Sequence, residues 1–333
     1  MRKVKWGVLG VAKIAVEKVI PAMQRGDVSQ IAAIASRDLG KARAAADKLG
    51  VPHAFGSYED LLADGEIEAV YNPLPNELHA PWTIRALEAG KHVLCEKPIG
   101  LNAKEARSLI EARNRSGKIV AEAFMVRYHP QWRRARELAR AGSVGEPRAI
   151  QTFFSYRLLD PENVRNRPPG GGGIYDIGCY AILAARYIFA AEPTRVVATL
   201  DRDPNFRTDR LTSAILEFPG GRHSTFSVAT QLSAHQRVTI VGEAGRIEIV
   251  IPFNAPPDRP TEIVIDTGVD LFGGGRRVEQ FDVCDQYTLQ GDAFSRAILS
   301  ETPPEFPIED AVANMRVIDA LFRSAARGSW ETP

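Results

Sequence analysis

The first third of the chain alternates two textures, and this restricts the possible folds more than any other feature. Short apolar runs stand at Val4–Leu9, Gln30–Ala35, Ala69–Asn72, His92–Cys95 and Ile119–Glu122. Between them lie Ala-rich, charge-rich stretches, Leu39–Leu49, Ala80–Ala89 and Ala103–Ser116, with apolar residues at helical spacing. Strands of four to six residues alternating with amphipathic helices predict βαβ units and a parallel sheet. Gly50, Gly90 and Gly117 stand where each helix should stop, as glycines past a helix C-terminus do.

From about residue 146 the rhythm changes. Arg148–Tyr156, Arg195–Leu200, Thr212–Phe218, Ser224–Gln231, Gln236–Val241, Arg246–Ile251, Thr261–Ile265 and Val278–Val283 read as strands with partial period-two alternation. Pro219-Gly220-Gly221 and Gly242-Glu243-Ala244-Gly245 read as tight turns between them, which predicts a large open, mostly antiparallel sheet. Helices are expected at about 174–189, 286–300 and 309–326. A length of 333 residues suits two domains. They are placed at 1–124, a doubly wound Rossmann-type α/β domain, and 125–333, an α/β domain whose C-terminal helix is free to pack back on the first.

Composition excludes several function classes. Lys plus Arg (42) nearly cancel Asp plus Glu (41), so there is no bulk field for gripping nucleic acid or an acidic membrane. Cys95, Cys179 and Cys284 are too scattered for a disulfide framework or a zinc knuckle, and no His/Cys/carboxylate cluster has metal spacing. With no apolar run of membrane-spanning length and no signal-like N-terminal core, a cytoplasmic location is expected.

Gly10-x-Ala12-x-x-Ala15 follows the first strand and opens the first helix. It is a degraded form of G-x-G-x-x-G, whose turn exposes backbone N–H groups at a helix N-terminus and so favours a pyrophosphate. Lys13 and Ile14 lie in the same turn. A strand–helix turn without a ligand has the same pattern. The second strand ends in Ala35-Ser36-Arg37-Asp38, where an NAD site would usually present Asp or Glu. A hydroxyl followed by a guanidinium suits a ribose 2′-phosphate instead, with Lys41 or Arg43 adding charge. This favours NADP over NAD; the alternative is that Ser36 caps the next helix and Arg37 is solvated.

Tyr71-Asn72-Pro73-Leu74-Pro75-Asn76-Glu77-Leu78-His79 and Ala89-Gly90-Lys91-His92-Val93-Leu94-Cys95-Glu96-Lys97-Pro98 resemble the glucose–fructose oxidoreductase / inositol dehydrogenase / MocA family. Glu122-Ala123-Phe124-Met125-Val126-Arg127-Tyr128-His129-Pro130 and Gly171-Gly172-Gly173-Ile174-Tyr175-Asp176-Ile177-Gly178-Cys179-Tyr180 match it as well, and the likeness runs the length of the chain. The resemblance implies a Rossmann domain followed by a domain whose sheet supports homodimers or homotetramers, with the nicotinamide between the two. It implies cofactor contacts from Leu74, Asn76, His79, Glu96, Lys97 and Tyr287, and a Lys97-Pro98 bond that is often cis in relatives. A lone histidine such as His79 is equally often structural.

Asp176 and Tyr180, spaced i,i+4 on the helix expected from about residue 174, project from one face. Many relatives carry His at the second position; the tyrosine here matches NADP-dependent xylose and dimeric dihydrodiol dehydrogenases. A phenol titrates near pH ~10 in water. A lysine ammonium ~4 Å away at an effective dielectric of ~20 contributes roughly 4 kcal/mol, about three pKa units, before desolvation opposes it. The catalytic set is therefore Tyr180 for proton transfer, Lys97 as its electrostatic partner and Asp176 as substrate orienter. The alternative for Tyr180 is a core tyrosine with a satisfied hydroxyl. Phe154, Tyr156, Arg157 and Arg165 are candidate substrate residues, or else sheet-face and loop residues.

Asp201-x-Asp203-x-Asn205 begins like a calcium loop, but Phe206 and Thr212 stand where glycine and glutamate are needed, so it reads as a turn. Arg133-Arg134 and Arg276-Arg277 read as solvated faces or salt-bridge partners. The expected activity is NADP-dependent hydride transfer on a sugar or sugar-like polyol, with an aldose such as D-xylose oxidised to its lactone. A keto-sugar or other carbonyl reductase, 1,5-anhydrofructose-like, is the alternative, and a non-catalytic NADP-binding sensor is the alternative of another class.

Overall fold

The computed structural model describes residues 2–333, and the chain divides into two compact units. The first comprises Met1–Met125 with Asp285–Val312, the second Val126–Cys284 with Ala313–Pro333. Among the described residues no helix is long and apolar enough to cross a membrane.

In the first unit the alternation produces β1 (Val4–Leu9), α1 (Ile20–Gln24), β2 (Ser29–Ala35), α2 (Leu39–Leu49), β3 (His53–Phe55), α3 (Tyr58–Ala63), β4 (Ala69–Asn72), α4 (Asn76–Glu88), β5 (His92–Cys95), α5 (Ala103–Ser116) and β6 (Val120–Glu122). The strands form one parallel sheet in the order β3-β2-β1-β4-β5-β6. The order reverses at β1, and in such sheets ligands bind beyond the strand C-termini at that point. The β3–α3 pair is too short to register as periodic, and the sequence does not announce it. Asp38, Ser57 and Asn102 each accept a backbone N–H in the first turn of the helix that follows them, and Gly50 and Gly117 close α2 and α5 in the left-handed conformation. Residues 15–19 form a π-turn, with Ile20 N–H bonding Ala15. It precedes Ile20-Pro21, and Pro21 has no N–H for an α-helical bond.

The second unit contains α6 (Pro130–Arg140), β7 (Pro147–Arg157), a π-turn at Ile174–Gly178 running into α7 (Cys179–Phe189), then β8 (Arg195–Arg202), β9 (Asp209–Phe218), β10 (Arg222–Ala229), β11 (Gln231–Gly242), β12 (Arg246–Ile249), β13 (Thr261–Asp266) and β14 (Arg276–Phe281). Its eight-stranded sheet has the order β14-β13-β12-β11-β7-β10-β9-β8. The pairs are antiparallel except β7 with β10, which run parallel at the sheet centre. Helix α6 is not among the expected elements: its Arg-rich sequence hides the buried stripe of Trp132, Ala135, Leu138 and Ala139. Gln231, assigned by sequence to the end of one strand, begins the next, and β11 carries an irregularity between Gln231 and His235.

Near the end of the chain α8 (Gln286–Leu299) packs in the first unit. Its Phe294 ring lies 5.4 Å from Trp6, and Ser295 accepts the Trp6 indole N–H at 3.0 Å. The last helix is α9 (Ile308–Arg327).

Candidate active site

In the first unit, Gly10 ends the β1 turn with φ +87° and donates its N–H to Ala35 at 2.7 Å. A Cβ there would lie 3.1 Å from Leu74 Cδ2, so both the backbone conformation and the close packing of Leu74 require glycine. Ala12 accepts the Val16 N–H as the first helix opens. Ile14 packs on the core, and Lys13 projects outward beside Glu17. At the end of β2, Ser36 is buried and accepts the Asp38 N–H, while Asp38 caps α2 by accepting from Lys41 N–H. The capping role raised for Ser36 therefore belongs to Asp38. Arg37, Lys41 and Arg43 are exposed, and among the described residues none of the three side chains forms an ion pair. Three free cations beside a glycine turn fit a phosphorylated dinucleotide.

The segment after β5 is held from several sides. Glu96 N–H bonds Asn72 O at 3.0 Å, and the Glu96 carboxylate accepts the Tyr71 hydroxyl at 2.6 Å and the Lys97 N–H at 3.3 Å. Lys97-Pro98 is cis, Lys97 is half-buried, and Ile99 N–H bonds the buried Glu122 carboxylate at 2.8 Å. Burial and Glu96 push the Tyr71 hydroxyl well above the usual phenol range, and Tyr287 on α8 is close enough to add to the effect. Asn72 ties the same region together, donating to His79 O and Thr83 and accepting the Leu74 N–H. Asn76 is half-buried at the first turn of α4.

His79 is not available to a ligand, contrary to the sequence expectation. It is buried, with Nδ1 2.7 Å from Pro98 O and Nε2 2.6 Å from Leu74 O. Both nitrogens face backbone carbonyls, so it is a strut beneath the Lys97 segment. The motif gave its position but not the direction of its ring.

In the second unit, Asp176 gathers two of the expected substrate residues. Its carboxylate accepts the Tyr156 hydroxyl and, at 3.0 Å, Arg165 Nε. Burial and the Asp176 carboxylate push the Tyr156 hydroxyl far above its ordinary range, so it stays a donor. Tyr180 is 6% exposed, its ring 5.3 Å from Phe253 and 6.2 Å from Phe154. Phe154 stacks on Phe253 at 4.8 Å. Arg157 does not join them. Along β7 the pleat sends Thr152, Phe154 and Tyr156 to one face, leaving Arg157 exposed on the other.

Sequence reasoning missed Asp209. It is 1% exposed, accepts Ile174 N–H at 2.7 Å and the Thr212 hydroxyl at 3.2 Å, and burial raises its carboxyl to about 6. Nothing in the sequence distinguishes it from its neighbours Asp201 and Asp203. Asp203 does form the expected turn, accepting Asn205 and Phe206 N–H. The basic pairs are largely salt-bridge partners: Arg134 and Arg277 share Glu279.

Residues 4–124 match the family model described as an oxidoreductase family with an NAD-binding Rossmann fold, and residues 132–248 match the GFO/IDH/MocA C-terminal domain. A D-xylose 1-dehydrogenase (NADP(+)) from Haloferax volcanii is 40% identical over 327 residues, covering 97% of this chain and 98% of that protein. Among solved structures, an aldose-aldose oxidoreductase from Caulobacter crescentus complexed with glycerol superposes with a TM-score of 0.91 at 26% identity, over 100% of each chain. A 3-ketoreductase from Actinomadura kijaniata in complex with NADP and TDP-benzene gives 0.91 at 28% identity, over 97% of this chain and 98% of that one. The chain belongs to the GFO/IDH/MocA family of oxidoreductases.

Proposed function

We propose that this protein is an NADP-dependent oxidoreductase that interconverts a hydroxyl and a carbonyl on a sugar or sugar-like polyol, in the oxidative direction taking an aldose such as D-xylose to its lactone. The observation that carries the reading is the grouping of Tyr156 and Arg165 on Asp176, one helical turn from the buried phenol of Tyr180. A carboxylate anchored by a hydroxyl and a guanidinium suits a polyhydroxylated substrate, and the names of the similar proteins point to sugars.

When bound, the nicotinamide accepts or delivers the hydride. Gly10, Ala12 and Leu74 form its pyrophosphate turn, Ser36, Arg37 and Lys41 hold the 2′-phosphate, and Asn76, Glu96, Lys97 and Tyr287 serve the remainder. Tyr180 takes the proton of the reacting hydroxyl during oxidation and returns it during reduction. We assign Lys97 to the catalytic set with Tyr180 and Asp176. Asp176 accepts a substrate hydroxyl and fixes which carbon faces the cofactor.

One face of the eight-stranded sheet carries a groove of about 700 Å³ lined by Phe153, Ser213, Ile215, Ser227, His235 and Arg237. Mostly apolar and small side chains on an open sheet face suit a second copy of this chain, and we assign the protein as a cytoplasmic homodimer or homotetramer built through it. A monomeric mass by light scattering overturns this.

The reading is tested by turnover with NADP(H) and NAD(H) across aldoses, polyols and keto-sugars. NADP⁺-dependent aldose oxidation is expected. Turnover only with NADPH and a keto-sugar would favour the reductase reading, which the 3-ketoreductase likeness supports. Tight NADPH binding without turnover in either direction would favour a sensor.

A further inference from the structure

The glycine turn before the Asp176 helix is built around one buried carboxylate. Gly172 has φ +113°, and a Cβ on it would lie 2.0 Å from Asp209 Oδ1. Gly171 has no room either: its Cβ would meet the carbonyl oxygens of Arg165 and Arg167 at 2.6 Å. Gly172 N–H bonds Arg165 O at 2.8 Å, Asp176 N–H bonds Gly172 O at 3.0 Å, and Ile174 N–H bonds Asp209. The same three-residue segment thus touches Asp209 on one side and leads to both Arg165 and Asp176 on the other.

We propose that Asp209 is a positioning residue for the reaction: its carboxylate clasps the Gly172–Ile174 segment and so fixes where Asp176 and Tyr180 stand. The inference rests on the assignment of Asp176 and Tyr180 to the substrate hydroxyls.

A cap alone does not account for this carboxylate. Burial raises its pKa to about 6, against the opposing pull of the Ile174 N–H, the Thr212 hydroxyl and the Arg202 charge. Above that pH the folded chain holds an ionised group in a site that favours the protonated one, which costs stability. An amide oxygen would cap the same N–H without that cost, but its NH2 group would then stand on the Gly172 side, where Oδ1 sits, and loosen the turn. The titratable groups that bear on Asp209 are Arg202 on β8 and the neutral phenol of Tyr156 on β7, with Asp176 two residues along the clasped turn. Tyr156 remains protonated throughout the useful range and adds no step to the pH profile, so protonation of Asp209 near pH 6 adds its own step to the acidic limb that the base Tyr180 sets.

The test compares wild type, Asp209→Asn and Tyr180→Phe. It measures aldose kcat and KM from pH 5 to 8, NADPH affinity, melting at pH 8, and amide exchange across residues 170–180. Asp209→Asn is expected to melt no lower than wild type and to bind NADPH unchanged. It should exchange faster at 170–180, lose at least tenfold in kcat/KM for the sugar, and fall with a single ionisation on the acid side where wild type shows a further step near pH 6. Wild-type kcat/KM and exchange in Asp209→Asn overturn the proposal, as does a loss of melting temperature and NADPH affinity together, which marks a merely structural role. Wild-type turnover by Tyr180→Phe overturns the underlying assignment and the proposal with it. An inactive Tyr180→Phe beside a fully active Asp209→Asn overturns the role of Asp209 alone.

Discussion

His79 Nδ1 lies 2.7 Å from the carbonyl oxygen of Pro98, and this contact ties helix α4 to the segment that carries Lys97. The opposite ring nitrogen faces Leu74 O at 2.6 Å, so an imidazolium could donate to both carbonyls and a neutral ring to only one. Burial outweighs the two carbonyls and lowers the pKa to about 4, so the folded protein keeps the ring neutral.

An acid-labile fold follows. The unfolded chain binds the proton below about pH 6.5, while the folded chain resists until about pH 4. The stability contributed is fully present above the unfolded pKa and is lost as pH falls from 6.5 toward 4, amounting to roughly 3 kcal/mol at the low end. Burial shifts His92 and His129 in the same direction, also to about 4. Urea midpoints should fall steeply between pH 6.5 and 4.5, and His79→Gln should flatten part of that slope. An unchanged slope in the variant would remove His79 as a source.

Arg37→Ala tests the phosphate site. The guanidinium is exposed and unpaired at the end of β2, so its loss should leave the fold intact. A charge-assisted pair to a 2′-phosphate is worth roughly 1.5–3 kcal/mol, or about ten- to a hundredfold in affinity. NADPH titrations should show that loss while NADH affinity stays the same. Equal weakening of both would mean that Arg37 does not meet the 2′-phosphate.

Much of this was legible in the sequence because period and punctuation are local. Val4–Leu9 and Ala103–Ser116 carry their structure in their own spacing, and Gly50 and Gly117 mark their stops without help from the rest of the chain. The parallel pairing of β7 with β10 was not legible, since it depends on which strand enters the sheet centre and not on either strand's pattern. Arg157 was grouped with Tyr156 by adjacency, whereas the pleat separates neighbours and joins alternate residues. Asp209 stayed hidden because its meaning lies in Gly172, distant in sequence and close only after folding. The Asp176 grouping falls between these extremes: Tyr156, Arg165 and Asp176 each stand out in the sequence, but not the hydrogen bonds that join them.

Tyr180→Phe tests the proton-transfer assignment. Removing a positioned acid or base usually costs about 10²–10⁴ in rate. The phenyl ring keeps the packing against Phe154 and Phe253, so melting and NADPH affinity should stay near wild type while kcat falls by that factor. Lys97→Met should give a comparable fall in kcat. Near-wild-type turnover in Tyr180→Phe would make Tyr180 a core residue.

Two glycine-to-alanine changes with a shared backbone class but different surroundings separate conformational strain from steric blockage. Gly50 has φ +64°, and a Cβ added there would meet nothing within 4 Å, so Gly50→Ala should cost only the left-handed penalty of roughly 1 kcal/mol, with normal sugar kinetics. Gly172 has φ +113°, and its Cβ would be 2.0 Å from Asp209 Oδ1. The clash cannot be relieved by a flexible tip, because Asp209 is buried and bonded to Ile174 and Thr212. Gly172→Ala should therefore lose several times the stability of Gly50→Ala. In whatever fraction folds, it should raise the sugar KM while leaving NADPH affinity unchanged, because the glycine turn leads to Arg165 and Asp176 and the dinucleotide groups all lie in the first unit. Calorimetry and paired cofactor and sugar titrations decide the matter. Equal stability loss in the two variants would mean that the turn relaxes around the methyl group, and that Asp209 holds it less tightly than the distances imply.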